Sequence, residues 1–558
     1  MSQEPYYNAG TTAPVVVRGV YVNRDPLDYH RDDEMSSSAS PAPAAAMTIG
    51  DLEKAGEVQA RRCNDVAFAL LFWVHLAVVA GATATFAPRM IGDVAALSSG
   101  GNRDLSSSSS SGGSDAMFAS WIVGIARLVL SAPSSSIVSP VHDEEARDLQ
   151  EDYDADVDVA DDLGDMILLL GASALIALLL SSLVLAFIIR RAESLIKFAL
   201  LFNVVCTFAF TIGSIFISPF SAAVGIFLFV LTVYYAYVVW GRIPFAATNL
   251  VVAATAVKAN LGLSIIAYSS LPVIIGWSCW WLVSFASTVY VASGCDAQGN
   301  CATETPGILV FSMLLSYHWT CQVIKNVVHV TVAGAVGTWW FVPTEGTSFC
   351  SHGVRDSFVR SITTSFGSIC LGSLLVAIVE ALRSMVRNMR ENGEGGILLC
   401  LAECLLSCLQ DMMEYFNMWA FVFVGLYGYP FVEAGKNVLT LFQSRGWTTI
   451  ITDNLAQGVL SLVSVAVGLI TGLIALAIAQ ARGMVFGDEV GAYAAAFFIG
   501  FVTGVVLTIT LLTLVSSAVN TVIVCYAEAP REFELNHPKL SQDMRSAWRQ
   551  AWPEDFRY

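Results

Sequence analysis

Four aromatic residues in the middle of two apolar segments carry the most informative chemistry in this sequence. Trp277 and Trp281 lie one helical turn apart, and Tyr317 and Trp319 lie eleven to thirteen residues into the segment that begins near Pro306. Aromatic faces attract quaternary ammonium groups by about 0.5–2 kcal/mol per contact. These rings therefore predict a site for an organic cation, with helix packing or an interfacial aromatic belt as the alternative.

Ionisable side chains in apolar segments form a second set of candidates, because each costs roughly 2.5–3.5 kcal/mol to insert into a bilayer. Counting along the helix from Pro306 places Lys325 and His329 at the inner membrane edge. There they are candidates for gating or proton coupling, or they anchor the helix at the interface. Glu433 falls inside a predicted span and is a candidate counter-charge for a cation or a partner of Lys436 at i+3. We expect Glu380, near the end of another span, to pair with Arg383 at i+3.

Cysteines are grouped at two places. Cys295 and Cys301 share a short loop that the order of the spans places outside the cell, where a disulfide is stable. Cys400, Cys404 and Cys408 recur every four residues on one helical face, as a candidate site of palmitoylation or as a cysteine-rich packing face. Three thiols are one short of a closed structural zinc site, and we predict no metal site.

The elements that must position these residues are membrane-spanning helices. Of the 558 residues, 55% are hydrophobic and 13% are charged, against about 25% charged in soluble proteins. Each crossing needs about 20 apolar residues. The sequence therefore predicts an all-α, polytopic membrane helical bundle of about ten spans, at 65–87, 166–189, 194–217, 220–240, 263–291, 306–326, 360–382, 416–440, 454–480 and 491–522.

The polar segments around these spans predict the topology. Residues 1–60 form a disordered tail, and the arginines at 61 and 62, which precede the first helix at 65–87, place that tail in the cytosol. An extracellular loop at 88–164 is rich in serine and acidic residues and carries most of the net charge of −17. The transmembrane domain covers 165–525, and 526–558 form a cytosolic C-terminal tail.

Several classes of function are disfavoured by what the chain lacks. It has no basic clusters of the kind that bind nucleic acid. It has no Walker A motif, no HExxH zinc motif and no GxSxG elbow, so we expect neither an ATP-driven pump nor an enzyme, and no cofactor. The alternating aspartates of the loop at 152–158 lack the glycine and the glutamate of a calcium-binding EF-hand.

Four sequence blocks closely resemble the choline transporter-like family. They are VIKNVVHVTVAG with GTWWF (323–341), SFGSICLGSLLVAIVEALR (365–383), GRIPFAATNL (241–250) and the cysteine-rich segment with its aromatic continuation (400–442). The resemblance covers about 165–530. Within YFNMWAF (415–421) the family asparagine is kept as Asn417, a candidate substrate ligand, but Met418 replaces a basic residue. Glu433 stands where the family commonly has a small hydroxyl residue.

This resemblance implies a multi-pass carrier with cytosolic termini that moves choline, ethanolamine or a related organic cation, facilitatively or linked to protons. The expected location is the plasma membrane, with internal membranes as the alternative. Its partners are then a small cation and the lipid bilayer, while the oligomeric state is open. The alternatives are a transporter of another solute such as a thiamine derivative, an ion channel, or a membrane scaffold that transports nothing.

Overall fold

A computed structural model describes residues 62–99, 145–294, 305–343, 351–391, 396–445, 455–483 and 489–552. These residues are helical and contain no strand, as the predicted all-α class requires. The first helices in chain order are α1 (Val66–Ser99), α2 (Glu145–Ile215), α3 (Pro219–Val239), α4 (Ile243–Ala259), α5 (Gly262–Ala292), α6 (Gly307–Phe341) and α7 (His352–Ile362). They are followed by α8 (Phe366–Glu391), α9 (Gly396–Tyr427), α10 (Phe431–Arg445), α11 (Leu455–Arg482), α12 (Glu489–Glu528), α13 (Pro530–Asn536) and α14 (Pro538–Ala551).

Nine helical segments within the described residues are long and apolar enough to cross a membrane. One of them, Leu168–Ile215, has 48 residues, or about 72 Å at 1.5 Å per residue, which is enough for two crossings. Its helix α2 breaks at Arg191, where φ is −142° and ψ is 32°. Counting the two halves separately gives ten crossings, in agreement with the predicted pair 166–189 and 194–217.

The predicted span 416–440 is wrong. Helix α9 runs from Gly396, so that the cysteines and Asn417 share one helix, and it ends at Tyr427. Gly428 follows with φ of +74°, a backbone conformation that favours glycine, and Pro430 then starts the separate helix α10. Glu433 therefore lies in the first turn of α10 and is exposed.

Three other boundaries differ from the expectation. Helix α6 continues without a break from the predicted span 306–326 to Phe341, which settles the stretch after Lys325 as a helix extension. The region predicted as one span at 360–382 is divided into α7 and α8 by a turn at 363–365. Both flanks of the predicted loop 88–164 are helical, since α1 continues to Ser99 and α2 begins at Glu145. The serine-rich centre of that loop, the tail 1–60 and Cys295 and Cys301 lie outside the described residues.

The helices meet closely at the end of the bundle where α1 begins. The Asn64 amide nitrogen donates to Thr364 O at 3.1 Å, and its side chain donates to Gly428 O. Arg360, on α7, donates to Gly425 O at 2.6 Å. These contacts bring the start of α1, the start of α8 and the α9–α10 break to one level, which we call the basal end of the bundle.

Glycines let α11 and α12 approach each other closely. A Cβ atom on Gly500 would lie 2.4 Å from Ala475 Cβ and 2.9 Å from Thr471 O. Small residues at such contacts are typical of helix pairs in membranes, where close backbone approach maximises dispersion contacts.

We expect Gly500→Ala to lower the unfolding free energy by about 1–3 kcal/mol, because a backbone carbonyl stands in the way of the added methyl group. The midpoint of thermal unfolding in detergent micelles measures the effect. Gly171→Ala is the matched control, since nothing lies within 4 Å of a Cβ there and alanine favours helix. An equal response of the two variants would contradict the close contact.

The C-terminal helices α13 and α14 dock against the ends of α4, α6 and α12. The rings of Trp340 and Phe533 stack at 3.9 Å, and the Trp548 indole donates to Asn249 Oδ1 at 2.9 Å. His537, between α13 and α14, stacks on Trp339 at 4.1 Å and donates from Nε2 to the Trp339 carbonyl. The predicted tail 526–558 thus contains helices packed onto the bundle.

Docking of the C-terminal helices is expected to weaken as the pH falls below about 6.5, the ordinary pKa of histidine. Burial lowers the pKa of His537, against the opposing effect of its hydrogen bond to Trp339. Below pH 6.5 the unfolded chain therefore binds a proton more readily than the folded one, and the stabilisation disappears as the pH falls through the folded pKa.

Thermal unfolding between about pH 5 and 7.5, a range that brackets the ordinary histidine pKa, measures this effect. In the His537→Gln variant, the midpoint of thermal unfolding should fall less at acidic pH than it does in the wild type. Exposed His352, on α7, provides the control variant His352→Gln. If the unfolding midpoint of the His537 variant fell at acidic pH as much as that of the wild type, His537 would not be the group responsible.

Candidate functional site

Two of the predicted aromatic residues lie on one buried face of α5. Trp277 and Trp281 are buried, and the Trp281 indole donates to the Met313 carbonyl of α6 at 2.9 Å. The rings of Trp281 and Tyr317 pack at 4.9 Å. The Trp277 indole nitrogen is buried without a hydrogen-bond partner among the described residues. This face of α5 thus presents aromatic surface and one free donor to the middle of the bundle.

His75 of α1 connects this group to the fourth predicted ring. It stacks on Trp319 with ring centres 4.8 Å apart, and its ring centre is 6.4 Å from that of Trp277. Trp319 is fixed from the other side, because its indole donates to Cys370 O at 3.0 Å. We call His75, Trp277, Trp281, Tyr317 and Trp319 the aromatic cluster; α1, α5 and α6 each contribute to it.

The hydrogen bonds of His75 are satisfied by a neutral ring. Its Nδ1 lies 2.8 Å from the Phe72 carbonyl, which can only accept, so Nδ1 carries the hydrogen. Its Nε2 lies 3.1 Å from the Ser316 hydroxyl, which can then donate to it. With this arrangement of hydrogens the cluster presents a neutral aromatic imidazole.

Sequence reasoning did not identify His75. The signal was present, since an ionisable residue stands alone in FWVHLAVV, inside the first predicted span. An intramembrane histidine is a functional candidate by default.

Two other predicted substrate ligands lie outside the aromatic cluster. Asn417 is buried between α8 and α9, where its amide donates to Gly372 O at 2.7 Å and its Oδ1 is buried without a partner among the described residues. Glu433 is exposed at the basal end. The described ring contacts and hydrogen bonds bring neither residue to the cluster, and their role in binding stays a prediction.

The predicted gating residues are separated by one turn of α6 but have different surroundings. Lys325 is exposed. His329 lies where α6, α9 and α12 meet: its Nε2 donates to Met418 O at 3.1 Å, and the Ser517 hydroxyl lies 2.7 Å from Nδ1. His329 thus joins three helices below the aromatic cluster, while gating or coupling by either residue stays a prediction.

The cysteine-rich face of α9 is exposed at all three positions, Cys400, Cys404 and Cys408. Glu403 on the same helix is paired with Arg390 at 2.9 Å. Among the described residues, no group of three or more histidine, cysteine or acidic side chains could hold a metal ion. Lipidation of these cysteines stays a prediction.

Nine apolar helical segments of membrane-spanning length among the described residues, with polar and aromatic groups between them, define the class of this protein: it is a multi-pass integral membrane protein.

The family model described as plasma-membrane choline transporter matches residues 223–531, more than half of the chain, and the chain belongs to this family. The match begins within α3 and ends just after α12, and it includes all of α5 and α6.

Curated relatives support the same family. Protein PNS1 of Debaryomyces hansenii is 28% identical over 407 residues, which are 68% of this chain and 79% of the relative. Protein PNS1 of Mycosarcoma maydis is 33% identical over 240 residues, 41% of this chain and 44% of the relative. A CTL-like protein of Dictyostelium discoideum is 31% identical over 289 residues, half of each chain.

Proposed function

We propose that this carrier moves choline or a related organic cation, such as ethanolamine, across the plasma membrane, by facilitated or proton-linked transport. The observation that supports the substrate class is the convergence of five aromatic rings from α1, α5 and α6 inside the bundle. The family in which the chain lies supports the same class.

The chemistry of the aromatic cluster suits a trimethylammonium group. Such a group carries a positive charge but donates no N–H hydrogen bond, so ring faces bind it better than a set of carbonyls or carboxylates. Each ring contact contributes about 0.5–2 kcal/mol, and more when water is excluded. A neutral His75 adds an aromatic surface without repelling the cation, and the free Trp277 indole can bind a substrate hydroxyl group.

Transport in this scheme alternates access around the aromatic cluster. The basal end faces the cytosol, together with the N-terminal tail 1–60 and the C-terminal segment 526–558, and the loop 88–164 faces outside. Residues 165–525 form the transport domain with α1. Lys325 and His329 then lie on the cytosolic side of the cluster, in a position to gate release.

Uptake of radiolabelled choline by cells that lack their own carrier tests the proposal. We expect saturable uptake, inhibited by an excess of unlabelled choline and, for a broader cation carrier, by ethanolamine. Inhibition by thiamine derivatives but not by choline would favour another solute. Large currents that do not saturate at micromolar substrate would indicate a channel. The absence of any saturable flux at normal surface abundance would contradict the proposal.

A further inference from the structure

Glu380 of α8 is held by three side chains inside the bundle and does not pair with Arg383 as the sequence suggested. Its Oε1 accepts from Gln322 at 2.8 Å and from Gln410 at 3.3 Å, and its Oε2 lies 3.2 Å from His318 Nδ1. The Glu380 side chain is 15% exposed. Arg383 instead donates to Gln410 Oε1. A mostly buried carboxylate thus joins α6, α8 and α9.

The hydrogens around His318 can be arranged in two ways without moving a heavy atom. Ser384 Oγ lies 2.9 Å from the Glu380 carbonyl and 3.2 Å from His318 Nε2. When Ser384 donates to that carbonyl, its oxygen can accept from Nε2, and a doubly protonated His318 then fits beside the carboxylate. When the hydroxyl turns towards Nε2, His318 is neutral and Nδ1 alone donates to Glu380.

These two arrangements differ by one proton and by one unit of charge. The pair of His318 and Glu380 has no net charge in the first arrangement and a charge of −1 in the second. The site can therefore hold or release one proton by a turn of the Ser384 hydroxyl, while the heavy atoms and the bonds from Gln322 and Gln410 stay in place.

This charge lies next to the aromatic cluster. His318 follows Tyr317 in α6, and their ring centres are 5.4 Å apart. Cys321, one turn further along, packs against the Trp277–Trp281 part of the cluster. A change of charge at Glu380 therefore acts on a cation bound to these rings, since Coulomb interactions are weakly screened inside a protein.

Other charged and titratable groups surround the pair but are placed further along each helix. Lys325 lies two turns away on α6, and Arg383 lies one turn away on α8. Glu414 of α9 accepts from Gln410. His75 of α1 faces Ser316 and Trp319 on the other side of α6.

We infer that His318 and Glu380 form a proton-binding site whose occupancy sets the affinity of the aromatic cluster for its cationic substrate. The inference rests on the proposed function for its substrate. Loss of the proton leaves one negative charge near the rings and strengthens cation binding, and gain of the proton removes it.

Choline uptake measured between about pH 5.5 and 8, the range in which imidazoles change charge, tests the inference. The half-saturation concentration should fall by about tenfold as the pH rises, the effect of one unit charge about 12 Å from the cation at an effective dielectric constant of about 20. Glu380→Gln removes the negative charge in both protonation states of His318, so its half-saturation concentration should stay at or above the high value and never fall to the low one. His318→Gln keeps the carboxylate and removes the proton, so it should give the low half-saturation concentration at every pH. Opposite shifts at the two positions are not what simple structural damage produces.

Two controls make the result specific. Glu391→Gln removes an exposed carboxylate from the same helix, where it pairs with Arg387, and should behave as the unchanged protein. The neutral choline isostere 3,3-dimethylbutanol should inhibit uptake equally at all pH values. A Glu380 variant that reaches the low half-saturation concentration at alkaline pH, or a loss of affinity in the His318 variant, would overturn the inference.

A measurement without transport separates this inference from the proposed function. Infrared difference spectra of the purified full chain in nanodiscs, recorded on changing the pH without substrate, should contain an imidazole signal that His318→Gln removes. Its absence overturns the proton site even if choline is transported. Its presence in a protein that transports no choline supports the site and refutes the proposed substrate.

Discussion

Replacing Trp277 with alanine is expected to raise the half-saturation concentration of choline uptake by about 2- to 30-fold, the range of one lost cation–π contact. Trp277 is buried and reaches both His75 and the Trp281 part of the aromatic cluster. Removing a buried indole also costs about 3–5 kcal/mol of stability, so uptake must be normalised to surface abundance. Trp277→Phe keeps a ring face and should recover most of the affinity.

Trp280, on the same helix, provides the matched control. It is 37% exposed, and its ring contacts Trp277 edge-on at 5.4 Å from the outer side of α5. Trp280→Ala should leave the half-saturation concentration within about twofold, since it removes no face that lines the cluster. Equal effects of the two alanine variants, or an unchanged value for Trp277→Ala at normal abundance, would contradict a cation site at these rings.

Asp65→Ala is expected to lower the unfolding free energy by about 2 kcal/mol or more and to reduce surface abundance. Asp65 Oδ2 accepts from Ser368 Oγ at 2.6 Å and from the Phe431 amide at 2.9 Å, and so joins the start of α1 to the starts of α8 and α10. Hydrogen bonds to charged groups contribute roughly 1.5–3 kcal/mol each, and a carboxylate is favoured near helix N-termini.

Asp65→Asn tests the charge separately from the contact, because the amide oxygen can still accept one hydrogen bond. Asparagine also tolerates the φ of +52° at this position. The order of unfolding midpoints should be wild type, then asparagine, then alanine. A midpoint of the alanine variant equal to that of the wild type would show that the basal contact does not stabilise the bundle.

The depth of the candidate site followed from the sequence because depth along a helix is a matter of counting residues. Trp277, Trp281, Tyr317 and Trp319 were predicted to lie near the middle of their spans, and the structure places all four in or beside one cluster. Counting failed at Glu433, because Gly428 and Pro430 end one helix and start another within a run that is apolar on both sides.

The sequence did not predict which side chains on different helices contact each other. His75 meets Ser316 across 241 positions of the chain, and Glu380 meets His318 and Gln322 in preference to its near neighbour Arg383. Local spacing offers i+3 and i+4 partners on the same helix, but a side chain that faces another helix bonds to what that helix presents. His75 and Glu380 therefore acquired their proposed roles only from the structure.

The sequence by itself determined that this chain is a helical membrane protein of about ten crossings and at what depth the aromatic residues of the candidate site lie, because apolar length and rise per residue fix both. Only the tertiary structure decided which face of each helix points inward. In water a polar face marks the outside of a helix. Lipid is as apolar as the protein interior, so these helices are apolar on all sides, and their residue pattern does not show which face is turned towards the other helices.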